Sequence, residues 1–220
     1  MSRLLALDCS AAACSAAVAE NGETRAFELL RLTRGHSEVV VPMVERVLAE
    51  AGRTAGEIDV VAATIGPGSF TGLRIGLAAA RGLALAVGAR TVPVTSLEAL
   101  AHAAGPSDTP LLAALDSKRG DLFCQWFDAR GRAVDEPAVR TAAEAVALAP
   151  GAVFRVAGDA VEAVLSATTA AGHSALVVEG CDVPDARSVA AVAAERAAAG
   201  GEGPLRPLYL KAPAVTPPAS

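Results

Sequence analysis

The sequence is short of aromatic residues and of histidine: Phe, Tyr and Trp together make up 3% of its 220 residues, and histidine occurs three times. A core without aromatics has to be filled by Ala, Leu and Val, and a hydrophobic content of 52% supplies enough of them. The four cysteines, Cys9, Cys14, Cys124 and Cys181, have no zinc-ligand spacing and form no Cys-x-x-Cys pair. That excludes zinc-finger and thioredoxin-like readings. They read as small buried hydrophobes of a reducing compartment, with Cys9 and Cys14 able to face each other across a hairpin. Positive charge is not in excess either. A formal net charge of −5 and a pI near 5.3 exclude a grip on nucleic acid through the overall field. A bilayer-length uncharged run is also missing, because Arg74 and Arg81 interrupt the most apolar stretch. Asp8 sits where the apolar core of a signal peptide would run. A soluble cytoplasmic protein with no membrane partner is therefore expected.

What the sequence does have is one dense glycine segment, Gly66-Pro67-Gly68-Ser69-Phe70-Thr71-Gly72-Leu73-Arg74-Ile75-Gly76. The apolar run from Val60 to Ile65 before it reads as a buried strand, and the Ala/Leu-rich run after it as a helix reaching Val87. Ser69 or Thr71 can cap that helix. A strand–turn–helix of this kind points backbone N–H groups outward, which makes an anion site the first reading. The segment lacks the Gly-Lys-Ser/Thr ending of a P-loop, and its glycine spacing is one residue too long for a dinucleotide fingerprint. A purely structural turn is the stronger reading. Along the helix, Gly72, Gly76, Ala80, Ala84 and Gly88 recur at every fourth position and form one stripe of small residues. Such a stripe admits a close neighbour, which is either the chain's own sheet or a partner helix.

The rest of the chain falls into two similar halves. Leu4–Asp8 and Cys14–Ala19 read as strands, and Asn21-Gly22 as a hairpin turn into a third strand over Glu23–Leu32. Ser37 is read as the cap of the first helix, over Ser37–Ala51, with Pro42 marking a kink or a later start near Val41. Thr91–Val94 is a short strand, and Ser96 opens a helix to Ala104. The cluster Gly105-Pro106-Ser107-Asp108-Thr109-Pro110 marks a boundary. Beyond it Leu111–Leu115 again ends in an acid, Asp116, followed by a turn through Lys118, Arg119 and Gly120 and a returning strand from Asp121 to Phe127. The second half continues with helices over Thr141–Leu148, Asp159–Ala170 and Asp185–Ala199. The domains read as 1–104 and 105–211, with a Pro-rich, disordered tail over 212–220. Two halves that each open strand–acid–turn–strand match an α/β, actin-like (ASKHA) architecture of two ribonuclease H-like domains with mixed sheets flanked by helices. The acids Asp8 and Asp116, with Arg119, are then the candidate remnant of a nucleotide site in the cleft.

At this point the residues resemble the TsaB (YeaZ) family. The resemblance rests on Leu5-Ala6-Leu7-Asp8 with Ala13-Cys14-Ser15, on His36-Ser37-Glu38 with Pro42-Met43, and above all on the Gly66–Gly76 segment. Weaker support comes from Ser96-Leu97-Glu98-Ala99-Leu100, Leu115-Asp116 with Arg119-Gly120, and Pro207-Leu208-Tyr209-Leu210. It implies a non-catalytic subunit of the bacterial complex that makes threonylcarbamoyladenosine in tRNA. The implied partners are a TsaD-like transferase and a TsaE-like P-loop ATPase, with a homodimer when alone and tRNA reached only through the complex. The implied docking surface is a bundle of the first two helices, to which His36, Val40, Met43, Val44, Val47, Gly68, Phe70, Gly72, Leu73, Gly76 and Ala80 are assigned.

No catalytic residue and no metal ligand is assigned. The catalytic paralogue that the family resembles holds a metal through two histidines on its first helix, whereas His36 here has Val40 one turn on. The expectation is no cofactor of its own, with ATP or ADP entering through the complex. The competing reading is an actin-like nucleotide-dependent enzyme or a peptidase using the interdomain cleft.

Overall fold

The structure is a computed structural model and describes residues 2–211. It contains two five-stranded mixed sheets of the same topology. In the first half β1 (Arg3–Ala11), β2 (Ala13–Glu20) and β3 (Glu23–Arg31) form an antiparallel meander, and β4 (Val60–Thr64) and β5 (Arg90–Val94) run parallel to β1, giving the order β3-β2-β1-β4-β5. In the second half β6 (Leu111–Asp116), β7 (Leu122–Phe127) and β8 (Ala138–Arg140) are antiparallel, while β9 (Val153–Ala157) and β10 (Ser174–Val177) are parallel to β6, in the order β10-β9-β6-β7-β8. The central strands β1 and β4 are buried on both faces, as a sheet covered by helices on each side requires.

The helices are α1 (His36–Glu50), α2 (Phe70–Val87), α3 (Ser96–Ala104), α4 (Ala142–Ala147), α5 (Val161–Ala170) and α6 (Ala186–Ala198). Helix α1 begins on Gly35 in the left-handed conformation (φ 85°), with no side-chain cap. The expected Ser37 cap and the start near Val41 are thus corrected. Ser37 lies inside the first turn, and Pro42 is carried within the helix on its exposed side, where the Glu38 carbonyl that loses its intrahelical donor belongs to an exposed residue open to water. Ser69 does cap α2, accepting from the Gly72 N–H at 3.2 Å. Cys9 and Cys14 do face each other across the first hairpin, with Sγ atoms 3.2 Å apart and both thiols buried.

The expected boundary at residue 104 falls at the end of α3, a helix that serves both cores, with Ala99 in the first and Leu97, Leu100 and Ala101 in the second. Helix α6 returns to the first half, where Ala186, Val189, Ala190 and Ala193 pack on Leu4, Ala6, Val60 and Val92. In the second core α3 packs against Leu111, Leu115 and Phe127. The two helices also bond each other's ends. The Arg196 guanidinium reaches Glu98 Oε1 at 2.6 Å and also donates to the Pro93 carbonyl. The expected tail over 212–220 lies outside the described residues.

Candidate functional site

The glycine segment is shaped by its contact with β1. Gly66 has φ 111°, a conformation that suits glycine. A Cβ on Gly68 would sit 2.2 Å from the Ser10 carbonyl oxygen, and one on Gly72 would sit 2.1 Å from that of Cys9. The Ser69 N–H donates to Ser10 O at 2.7 Å, so the loop is clamped to the β1–β2 turn rather than held open above it. Farther along, Gly76 faces the Cys9 side chain, and Ala80 and Ala84 join the same core. The small-residue stripe therefore faces the chain's own sheet.

This corrects most of the docking assignment. Val40, Met43, Val44 and Val47 of α1, with Gly72, Leu73, Gly76 and Ala80 of α2, are buried within the chain. A helical period marks the face that is covered, whatever covers it, and here the sheet does so. Gly68 and Phe70 are half-buried, and His36 is buried with Nε2 3.3 Å from Ala11 O; all three line the cleft between the halves. The outward face carries other residues. On α1 these are Val41, 53% exposed, with Pro42 and Glu45; on α2 they are Thr71, Ala78, Gly82 and Leu85, the last 87% exposed. Around Gly82 a Cβ would meet nothing within 4 Å. By length and composition α2 is the one candidate membrane span among the described residues, yet its inner face is used up by β1 and β4.

The cleft has a volume of about 460 Å³ and is walled by the β1–β2 turn, the glycine loop, the β6–β7 turn and residues 208–211. Asp116 and Arg119 line it; Asp8 does not. Asp8 is fully buried at the end of β1, where its Oδ1 accepts from Ser10 Oγ at 2.6 Å, Thr64 Oγ1 at 2.7 Å and Ser10 N at 3.2 Å. Its Oδ2 is buried with no partner among the described residues. Burial pushes the carboxyl up to about 6, against the pull of the Ser10 and Thr64 hydrogen bonds. The second half repeats the turn with a different outcome. Asp116 Oδ1 accepts from the Lys118 N–H at 2.6 Å, as Asp8 does from Ser10, but the Lys118 ammonium then lies 3.1 Å from Asp116 Oδ2 and 3.2 Å from Asp159 Oδ2. A tethered cation thus sits between two carboxylates. Asp159 was missed as a site residue; its place after β9, mirroring the loop after β4, was the available signal.

The cleft serines are engaged within the chain. Ser10 donates to Asp8, Ser117 to Asp121, and Ser69 accepts from Gly72. No serine hydroxyl bonds His36, and no group of three or more metal-ligating side chains occurs, among the described residues.

Comparison with known proteins gives consistent matches. The family model described as TsaD, tRNA N6-adenosine threonylcarbamoyltransferase, matches residues 31–195. The chain is 38% identical over 124 residues to the tRNA threonylcarbamoyladenosine biosynthesis protein TsaB of Escherichia coli, covering 55% of this chain and 53% of that protein. It thus spans about half the length of the curated relatives it matches first. An uncharacterized protein of Mycobacterium tuberculosis is 34% identical over 184 residues, covering 84% of this chain and 79% of its own. Among solved structures, YeaZ from Pseudomonas aeruginosa superposes with a TM-score of 0.80 at 26% identity, over 96% of this chain and 100% of that one. The (R)-2-hydroxyglutaryl-CoA dehydratase component A of Acidaminococcus fermentans shares the fold, with a TM-score of 0.53 at 12% identity over 90% of this chain and 100% of that one.

Proposed function

The chain belongs to the TsaB/YeaZ family, and on that premise we propose that it acts in tRNA threonylcarbamoyladenosine biosynthesis as a non-catalytic subunit that docks a TsaD-like transferase. In this reading the partner makes and breaks the bonds and this chain supplies a folded surface. A TsaE-like ATPase completes the assembly, tRNA and ATP or ADP enter through it, and the chain pairs with itself when the transferase is absent.

The observation that carries the proposal is the outward face of α2. Leu85 is 87% exposed there, beside a mid-helix glycine, Gly82, with open space around it and no unusual backbone angle. A glycine inside a helix costs about 0.5–1 kcal/mol relative to alanine. Nothing among the described residues uses that concession, whereas a second helix approaching Ala78 and Gly82 would. The expected result of Gly82→Ala is a small gain in stability of the isolated chain, about 0.5–1 kcal/mol in urea melts.

Docking itself is tested with Leu85→Asp. The side chain is too exposed to matter to the core, so the isolated variant should stay folded and lose no more than about 1 kcal/mol, the cost of an acid in the last turn of α2. Its affinity for the purified TsaD-like partner should fall about tenfold or more, as for a buried apolar anchor at an interface. Titration calorimetry reads the affinity, and tRNA modification by the reconstituted mixture should fall with it. Unchanged binding would remove α2 from the interface. Turnover of ATP or peptide by the isolated chain, abolished by Asp116→Asn, would favour the cleft enzyme instead.

A further inference from the structure

The segment that follows α6 does not end in the half to which α6 returns. It runs along the edge of the first sheet, where Gly203 N donates to Thr91 O at 3.0 Å and Arg81 on the flank of α2 donates to Leu205 O. Leu208 N then donates to Ile65 O at 2.7 Å, at the start of the glycine loop. The Tyr209 ring lies 5.0 Å from that of Phe70, in the first turn of α2, and its hydroxyl accepts from Arg74 Nε at 3.1 Å. Arg74 in turn lies 3.8 Å over the Phe70 ring. Within the next two residues the chain crosses to the other half. Leu210 packs on the second core, and the Lys211 ammonium pairs with Asp121 beside the β6–β7 turn. Residues 208–211 therefore bridge the cleft that they line.

Elsewhere the halves are joined through the α3–α6 crossing, where Arg196 pairs with Glu98 at 2.6 Å, and through the segment between β10 and α6, where Cys181 packs in the second core and Arg31 of β3 pairs with Asp182 at 2.8 Å. Both links lie away from the glycine loop, so without a further attachment the cleft between the halves would be free to open. The bridge supplies that attachment, and its first-half anchor is α2 itself. The Phe70–Tyr209–Arg74 stack occupies the flank of the same helix whose outer face carries Leu85.

We propose that Leu208–Lys211 is a clasp that couples the interdomain cleft to the first turn of α2, so that loosening its far end in the second half loosens the docking helix in the first. The coupling is intramolecular and rests on the docking reading only in naming α2 as the docking helix. It is reciprocal: whatever steadies the first turn of α2 also favours a closed cleft.

Hydrogen exchange on the isolated full chain tests it without any partner. Lys211→Ala and, from the opposite side of the pair, Asp121→Asn remove the ion pair of the second-half anchor, leave Leu210 in the second core and touch nothing on α2. The expected result is a rise in exchange of about two- to fivefold in peptides covering Phe70–Arg74, the range set by loss of a partly exposed ion pair. Peptides from β1 and β4 should not change, and Lys211→Arg should restore the wild-type rate. A change confined to the β6–β7 turn, with α2 unaffected in both variants, would overturn the coupling. Partner affinity is measured separately, so a failure of docking is distinguishable from a failure of the clasp.

Discussion

Gly72→Ala is expected to destabilise the folded chain by about 3 kcal/mol or more, at or beyond the upper end of what overpacking a core usually costs. The reason is the nature of the obstacle. The added methyl would lie 2.1 Å from the carbonyl oxygen of Cys9. Cys9 lies just past the residues of β1 that pair with β2 and β4, in the irregular stretch between Asp8 and Ala11, and its carbonyl is fixed by the next residue: Ser10 N donates to Asp8 Oδ1 and Ser10 O accepts from the Ser69 N–H, so it cannot turn away as a side chain could. Helix α2 would have to lift off β1, and its Ser69 N–H contact with Ser10 and the packing of Leu73, Leu77 and Ala80 would go with it. Propensity works in the opposite direction, since alanine is favoured over glycine in a helix by about 1 kcal/mol. The contact therefore has to outweigh a gain as well as a vacancy in the sequence rule. Urea denaturation of the variant beside Gly82→Ala is the direct check, because the two substitutions are chemically identical and are expected to differ in sign. Equal effects would mean that α2 does not sit on β1 as described. Gly158, with φ 113° and a methyl position 1.9 Å from Ala114 O, should behave like Gly72 in the second half.

That contrast between two glycines of one helix also marks how far the sequence could be read. Local signals were legible: Asn21-Gly22 makes the hairpin, Ser69 caps α2, and the strand–acid–turn–strand opening of each half becomes two sheets of identical order. The stripe at Gly72, Gly76 and Ala80 was visible too, but its direction was not. A four-residue period records that one side of a helix is close to something, and the same pattern serves a strand beneath or a helix beyond. Gly82 lies off the stripe and was overlooked, although it faces outward from the middle of the helix. The return of α6 to the first half and the sharing of α3 between both cores escaped for a different reason. Their Ala-rich faces fit either core, and the choice is made by distant pairs such as Arg196 with Glu98. The bridge by residues 208–211 is likewise a long-range product, joining Tyr209 to Phe70 and Lys211 to Asp121, and an extended segment carries no period from which to infer it. Asp8 was found as a chain position; that it lies under the cleft rather than in it depends on Ser10 and Thr64 closing over it.

The buried Asp8 leads to the second large effect, on the pH dependence of stability. Its carboxyl moves from an ordinary 3.8 to about 6 in the folded chain, because burial penalises the charged form more than the hydrogen bonds from Ser10 and Thr64 support it. The folded state therefore holds this proton more tightly than the unfolded state does. Between about pH 4 and pH 6 the native chain binds more protons, and stability falls as pH rises through that window. Below it the group is neutral in both states and costs nothing; above it the full penalty applies, about 3 kcal/mol for a difference near two units at 1.36 kcal/mol each. Asp8→Asn keeps an oxygen to accept from Ser10 and Thr64 and removes the charge. Its amide nitrogen takes the place of Oδ2, which has no partner among the described residues, so the variant carries a constant desolvation cost of its own. The diagnostic quantity is then the difference in unfolding free energy between variant and wild type, followed with pH in matched urea titrations. It should rise in favour of asparagine by about 3 kcal/mol from pH 4 to pH 7 and then level off. The other carboxylates titrate alike in both chains and cancel. A difference that stays flat across the window would place the Asp8 charge in contact with water, with Ser10 and Thr64 no longer sealing the end of β1.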